Sequence, residues 1–457
     1  MSIFQPRIDF QSLFIPNCFA SIDGLRAIAS LLIVYLHVSQ LFILFIPMYP
    51  SNEWFNYLKS NTFLFGMIFV NTLEIFFLLS GFLLTHSILT NANNANRTNY
   101  FLFILKRLLR YYPGLLLIFI YMYLFGDLEQ PYLKDSKSVV SNYLVHLLFL
   151  VNYTNVDYWF YSVRMNWSNC VDFHVYIILT ATLRVLWEKY KLKLHQILKI
   201  LIFLLIVSVI ICYYSLDSSF EIMKLGMQSH PLYQTSYEQS KALFDSYNFT
   251  FPLDKSQFRD QYRLSEFKKF YTPTHVRYGS FITGSIMAVK LLIQKNENNS
   301  NTNKIKKYVY WVLSLFLFII ISIRPTSNQP DPPAILVCAF RQLISMAVGY
   351  VLYTTLVHKN IIYHNTYLTW FLSRKVFVPF SKLSYLIYII HLRIATDLVG
   401  IGPLRALTNY HIDVASPISF FFTLAISVMV ACCWYCLVEQ PFFRLTNKLL
   451  ISTKKIN

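Results

Sequence analysis

The sequence has few charged residues for its length. Only 14% of its 457 residues are Asp, Glu, Lys or Arg, whereas 55% are apolar and 18% are aromatic. A soluble core of this size would leave far more charge on its surface. The scarcity of charge therefore excludes the soluble protein classes.

Several catalytic and metal-binding motifs are also missing. The chain has no Gly-x-Ser-x-Gly elbow, no Gly-x4-Gly-Lys-Ser/Thr phosphate loop and no His-Glu-x-x-His zinc motif. Hydrolase, ATPase and metalloprotease functions therefore lack support, and we expect no metal site. The seven cysteines have no paired extracellular spacing, so the sequence predicts no disulfide framework.

The sequence is rich in long apolar runs. About ten segments, most of them of roughly 18 or more residues with few charges, can each cross about 30 Å of hydrocarbon as a helix. We therefore predict an all-α fold, a polytopic transmembrane helical bundle of about ten spans. A shorter apolar segment, 139–151, fits a re-entrant or interfacial piece. The predicted spans lie near residues 27–47, 64–89, 110–126, 169–187, 198–214, 277–294, 308–323, 334–356, 379–400 and 417–438.

Basic residues predict the orientation of these spans. Lys and Arg cluster in alternate connections and at the C-terminal end, and such clusters are cytosolic by the positive-inside rule. The net charge of +18 thus indicates membrane topology and no nucleic-acid partner. We expect a cytosolic segment 1–20, a membrane domain 21–444 with a luminal loop at about 215–273, and a cytosolic basic tail 445–457.

Three sequons fall on the predicted luminal side. They begin at Asn152, Asn166 and Asn248, and they predict a glycoprotein of the plasma membrane or an endomembrane. A fourth sequon, at Asn96, falls on the predicted cytosolic side, where it cannot be used.

Polar residues within the predicted spans are candidate functional residues, because lipid disfavours them. Arg26 and His37 lie eleven positions apart in the first span. In a helix both side chains share one face, separated by about 16 Å of rise. An extended ligand could place its anionic end on Arg26 and its reactive end near His37. A snorkelling arginine and a satisfied core histidine explain the same residues equally well.

The second span contains an intramembrane carboxylate and a small-residue pair. Glu74 is expected at roughly the depth of His37, where it could orient the imidazole or form a structural ion pair between helices. The pair Ser80-Gly81 predicts close helix packing rather than a nucleophile.

Two further pairs of polar residues and a histidine extend the candidate site. Arg107 and Arg110 are one turn apart at the cytosolic edge, and they could bind phosphate groups or anchor the span. Asp172 and His174 open the fourth span and fit either an acceptor site or a local hydrogen-bonded cap. His391 lies in the middle of the ninth span, where an idle imidazole is not expected.

Six short motifs occur in order along the chain. They are Asp-Gly-Leu-Arg-Ala-x-Ala, Arg-x10-His, Phe-Phe-x-x-Ser-Gly-Phe-Leu, Arg-x-x-Arg-x-x-Pro, Ser-Tyr-x-x-Tyr-x-x-His and Glu-x-Pro. From about Ser21 to Arg444, the chain resembles the acyltransferase type 3 family of multi-pass membrane acyltransferases. Within that family it looks closest to the animal nose-resistant-to-fluoxetine branch, given its Trp-x4-Asp-x-His stretch and its luminal sequons.

The resemblance implies a donor such as acetyl-CoA, or another acyl-CoA, that enters from the cytosol. It also implies acyl transfer to a hydroxyl on the far side of the membrane. Carried onto this sequence, it implies that Arg26 and His37 are the essential pair. Glu74 stands where the family usually has Asp, and His174 stands where the branch tends to have Gln, which leaves the acceptor contacts open.

These observations give one hypothesis and several alternatives. The predicted partners are the lipid bilayer, acyl-CoA and a hydroxyl-bearing acceptor, either a lipid, a sugar or a small molecule. A transporter of lipids or small hydrophobic molecules, a signalling receptor and another intramembrane acyltransferase superfamily stay open. The predicted roles are catalysis by His37, Arg26 and Glu74, donor binding by Arg26, Arg107 and Arg110, and acceptor binding by Asp172, His174 and His391.

Overall fold

The fold is known from a computed structural model, in which every regular element of the described residues is helical. This agrees with the predicted all-α class, because a helix satisfies its own backbone polar groups in lipid. The described residues are 5–45, 72–91, 100–125, 143–153, 165–215, 272–297, 334–357, 367–401, 404 and 412–453. The helices are α1 (Pro6–Ser12), α2 (Ala20–Phe45), α3 (Leu73–Asn91), α4 (Tyr100–Phe125), α5 (Tyr143–Leu147), α6 (Asn166–Arg184), α7 (Leu194–Ser215), α8 (Thr274–Glu297), α9 (Ala334–Val357), α10 (Tyr367–Leu372), α11 (Phe377–Thr396), α12 (Ile412–Trp434) and α13 (Gln440–Thr453). Short 3₁₀ or π turns occupy Val151–Tyr153, Val185–Lys189, Asp397–Ile401 and Tyr435–Glu439.

Within the part of the chain that the structure describes, seven helical segments are long and apolar enough to cross a membrane. The chain is therefore a multi-pass membrane protein, although the predicted total of ten spans is not reached among the described residues. The predicted spans 110–126 and 334–356 fall in α4 and α9, helices of 26 and 24 residues that do not belong to the seven. The predicted span 308–323 and nearly all of the predicted loop 215–273 lie outside the described residues. The seven are Ala20–Ser39, Leu73–Thr90, Asn166–Lys189, Leu194–Ser215, Thr274–Glu297, Phe377–Val399 and Val414–Lys448.

Helices α2 and α11 form a parallel pair. Near the start of both helices, Ser381 Oγ donates to Asp23 Oδ1 at 2.7 Å. Farther along both, His37 Nδ1 lies 2.7 Å from His391 Nε2. Polar contacts at two levels thus fix the register of the two helices, and α12 packs against α2 in the opposite direction.

Helices α3 and α8 form a second parallel pair, because Glu74 accepts from Ser280 near the start of both helices and Thr85 donates to Ser285 farther along both. Between these two levels, glycines let the two backbones touch. A Cβ added to Gly81 would collide with the backbone of Phe281, and one added to Gly284 would collide with the backbone of Leu78. This contact confirms the predicted packing role for Gly81, whereas the hydroxyl of Ser80 lies 3.1 Å from Arg107. Because most of α8 is buried, it lies near the centre of the bundle.

Two of the predicted glycosylation sites are buried. Asn152 is 3% exposed, and its Nδ2 donates to two backbone carbonyl oxygens at 3.0 and 3.1 Å. Asn166 is 0% exposed, and its Nδ2 lies 3.3 Å from the backbone oxygen and the ring nitrogen Nδ1 of His146. A bulky glycan on either nitrogen does not fit this fold, which corrects the expectation at both positions. The sequons at Asn96 and Asn248 lie outside the described residues.

The helices at the two ends of the chain meet. In the predicted N-terminal segment, α1 contributes Asp9, and α13, which continues into the predicted basic tail, contributes Arg444. The guanidinium holds the carboxylate with two hydrogen bonds, at 2.6 and 2.5 Å. A bidentate pair of this kind fixes the two end segments against each other.

Candidate functional site

A cavity of about 290 Å³ lies between α2, α3, α4, α6 and α11. Among the described residues, its wall contains three arginines, Arg26, Arg107 and Arg110, and one carboxylate, Asp172. Aromatic, aliphatic and hydroxyl-bearing side chains form the remainder. We call it the arginine cavity. Its wall carries a formal excess of two positive charges, which favours an anionic ligand.

Within the arginine cavity, Arg107 is held by Asp172. Its Nη2 lies 2.5 Å from Asp172 Oδ2 and 3.1 Å from Ser80 Oγ. Its Nε donates to the Tyr111 hydroxyl at 3.1 Å, and this hydroxyl in turn donates to Asp172. The guanidinium also lies 5.0 Å from the ring centroid of Tyr176. With so many contacts, Arg107 presents a charge in a fixed orientation.

Arg26 and Arg110 are less constrained. Arg26 is half-buried and Arg110 is exposed, and each acts electrostatically on the other. Among the described residues, neither forms a hydrogen bond or an ion pair. Asp23, one turn from Arg26, accepts hydrogen bonds from Asn17 and Ser381 instead. Two facing cations repel, so an anion between them would be stabilised.

His37 and His391 form a hydrogen-bonded pair behind the wall of the cavity. Their nitrogens Nδ1 and Nε2 lie 2.7 Å apart, and the two rings are within 13° of parallel. His391 is 0% exposed, and its Nδ1 lies 3.0 Å from the carbonyl oxygen of Ile387. Tyr388 lines the cavity, with its ring centroid 5.9 Å from that of His391. The histidine pair therefore lies one side chain away from the cavity.

Glu74 contacts α8 and not His37. Its carboxylate accepts hydrogen bonds from Arg277 and, at 2.5 Å, from Ser280. The Arg277 guanidinium also lies 5.0 Å from the ring centroid of Trp167. Of the two readings of Glu74, the structural ion pair between helices is the one found, and the expectation that Glu74 orients His37 is corrected because its carboxylate is occupied by Arg277 and Ser280. The only sign of this pair in the sequence was an arginine, Arg277, at the start of the predicted span 277–294, and nothing in the sequence showed that this span lies beside Glu74.

The three predicted acceptor residues lie in three different places. Asp172 lines the arginine cavity, and His391 pairs with His37. The Nδ1 of His174 lies 2.9 Å from Thr274 Oγ1, so this side chain joins α6 to α8. Asp172 and His174 are two positions apart on α6, which corresponds to a rotation of about 200° around the helix axis. Their side chains therefore face different surroundings.

Several hydroxyls of the cavity were not predicted. The hydroxyl of Tyr388 lies 2.7 Å from Ser168 Oγ, and both residues line the wall. Tyr111, which bonds Asp172, is equally part of the site. In the sequence, these tyrosines could not be told apart from the aromatic residues that anchor spans at a membrane interface.

Comparisons with known proteins give one match. The acyltransferase type 3 family model, described as an acyltransferase domain, matches residues 19–438. The matched range includes all five helices that line the arginine cavity. Neither the curated proteins nor the solved structures gave a match.

Proposed function

Since this chain belongs to the acyltransferase type 3 family of membrane acyltransferases, we propose that it transfers an acyl group, in the first instance acetyl, from acyl-CoA to a hydroxyl. The observation that carries the proposal is the arginine cavity beside the His37–His391 pair. The acceptor class is a lipid, a sugar or a small molecule. We also propose the nose-resistant-to-fluoxetine branch, on the Trp-x4-Asp-x-His stretch that begins at Trp167.

In this proposal the arginine cavity binds the phosphates of the donor. Guanidinium groups bind phosphate through paired N–H donors held in one plane. Arg107 is fixed by Asp172, whereas Arg26 and Arg110 keep donors available for a ligand. A volume of about 290 Å³ is at the lower end for ligand pockets. The cavity would therefore hold one end of an extended donor.

The spacing on α2 suits such an extended donor. This helix runs unbroken from Ala20 to Phe45, so eleven residues separate Arg26 from His37 by about 16 Å. A donor whose phosphates contact Arg26 could extend along α2 and present its thioester near His37. Tyr388, between the cavity and the histidine pair, is placed to contact the reacting end.

The proposed chemistry uses His37 as the general base. A ring nitrogen takes the proton of the acceptor hydroxyl while the hydroxyl oxygen attacks the thioester carbonyl carbon. The carbon–sulfur bond then breaks, and the thiolate leaving group takes the proton back from the imidazolium. The products are an ester and free CoA. A base placed in this way contributes about 10²–10⁴-fold in rate; transfer through an acyl-histidine is the variant of this scheme.

The test compares purified wild-type protein with His37→Ala in detergent, following hydrolysis or exchange of radiolabelled acetyl-CoA. We expect turnover to fall by at least about 10²-fold while the variant still binds the donor. Arg26→Ala and Arg110→Ala should weaken donor binding. The control is His195→Ala, because that imidazole is 65% exposed and contacts Glu297 instead of the cavity.

Undiminished turnover by folded His37→Ala would overturn the catalytic role. Absence of donor binding and turnover in folded wild-type protein would overturn the acyltransferase proposal, and would favour transport on the same scaffold.

A further inference from the structure

The hydrogen bonds of His391 define its tautomer. Its Nδ1 lies 3.0 Å from the carbonyl oxygen of Ile387, one turn earlier in α11. A carbonyl oxygen only accepts, so Nδ1 carries a proton. The side chain is 0% exposed, and burial away from water disfavours the charged form. A neutral ring has one N–H, so Nε2 of His391 is an acceptor.

This tautomer determines that of His37. Because Nε2 of His391 accepts, Nδ1 of His37 at 2.7 Å must donate. The ring centroids are 5.0 Å apart and the planes differ by 13°. The hydrogen bond accounts for just over half of that separation, and the distances from each ring centroid to its bonding nitrogen account for the rest. The two rings therefore meet edge to edge in nearly one plane, so the N–H of His37 points along the lone pair of the His391 nitrogen. With its proton on Nδ1, His37 has its basic lone pair on Nε2.

We propose that His391 is a positioning residue that holds His37 in the Nδ1–H tautomer, so that Nε2 is the atom that takes the proton of the acceptor hydroxyl. The inference rests on the proposed role of His37 as the base. When a histidine acts as a base, the group that orients its ring is often a carboxylate. Here Glu74 is committed to Arg277 and Ser280, and a neutral imidazole occupies the orienting position.

The arrangement also favours the reacting state. Once Nε2 of His37 has taken a proton, the ring is an imidazolium and its Nδ1–H donates to His391 as a charge-assisted hydrogen bond. Such bonds are about twice as strong as neutral ones. His391 therefore stabilises the imidazolium more than the neutral ring, which is the difference that lowers a barrier.

Two substitutions at His391 separate positioning from simple packing. His391→Gln places an amide oxygen near the position of Nε2, so it can still accept from His37. His391→Leu fills similar space but has no acceptor. We expect His391→Leu to lower kcat for acetyl-CoA turnover by about 10²-fold with little change in KM, and His391→Gln to recover most of that loss. Equal activity of folded His391→Leu and wild type, or equal impairment of both variants, would overturn the inference.

A spectroscopic readout tests the tautomer without relying on turnover. In protein labelled with ¹⁵N-histidine, the His37 signals are assigned by their loss in His37→Ala. We expect wild-type His37 to be protonated at Nδ1 and unprotonated at Nε2, and this preference to disappear in His391→Leu. A wild-type His37 protonated at Nε2 overturns the inference. If wild-type His37 shows the expected tautomer but the protein transfers no acyl group, the result would uphold the positioning by His391 and reject the proposed function.

Discussion

Replacing Glu74 with Gln would leave the Arg277 guanidinium buried without its carboxylate. Both side chains are nearly excluded from solvent, at 1% and 3% exposed. Breaking a buried ion pair by removing one partner costs about 3–5 kcal/mol of unfolding free energy. Gln keeps an oxygen that can accept from Arg277 or Ser280, so we expect the lower end of that range, about 3 kcal/mol. Arg277→Met removes the other partner and should cost at least as much.

The double variant Glu74→Leu/Arg277→Met provides the matched control. Replacing both members of a buried pair by apolar residues of similar volume is often neutral or stabilising. We therefore expect the double variant to recover most of the stability that either single change loses. If the Glu74–Arg277 contact serves packing rather than chemistry, acetyl-CoA turnover should recover together with the stability of the double variant.

The assay is thermal unfolding in detergent, followed with a thiol-reactive dye. Cys170, Cys212 and Cys338 are free and buried, so they react when the bundle opens. Turnover is measured below the lowest unfolding midpoint. Two results would refute the reasoning. One is a Glu74→Gln protein as stable as wild type but inactive, and the other is a double variant less stable than both single variants.

Three further outcomes follow from the packing and the charges. Gly81→Ala should lose about 1–3 kcal/mol of unfolding free energy, because the added methyl meets the backbone of α8; Gly349→Ala, whose methyl would meet only side chains, at 3.1 Å or more, is the control for the same melting assay. Asp172→Asn should lower kcat without raising KM for acetyl-CoA, because the cavity gains positive charge while its central arginine loses its anchor; a raised KM would contradict this in steady-state kinetics. Asn152→Gln and Asn166→Gln should leave glycosidase-sensitive electrophoretic mobility unchanged, and a shift in either variant would contradict the buried positions.

The approximate location of most helices was predictable because it depends on local properties, although α4 begins at Tyr100, ten residues before the predicted span 110–126. Crossing the bilayer requires about 20 apolar residues in a helix, and runs of that kind are visible in the sequence. The common face of Arg26 and His37 stays a prediction of the same local kind, since it needs only the rotation per residue within one helix. The structure places Arg26 in the wall of the arginine cavity and His37 against His391.

Contacts between helices were not predictable in the same way. His37 and His391 are 354 positions apart, and Glu74 and Arg277 are 203 positions apart. The length of apolar runs locates the spans in the sequence, and the bias of basic residues orients them across the membrane. Neither property says which helices are neighbours. The sequon at Asn152 failed for a related reason, because three residues of sequence contain no information about burial in the assembled bundle.

The segment from Asp23 to Arg26 shows how one short motif couples packing to the site. Asp23 is 1% exposed and accepts from Ser381, which fixes the register of α2 against α11. Gly24 lets the backbone of Leu372 approach α2, and any Cβ there would collide with it. Arg26, one turn after Asp23, then reaches the arginine cavity. A side chain at Gly24 would have to displace either α10 or α2, and a displaced α2 moves Arg26 and His37 together. The position of the candidate site therefore depends on a packing contact that touches neither residue.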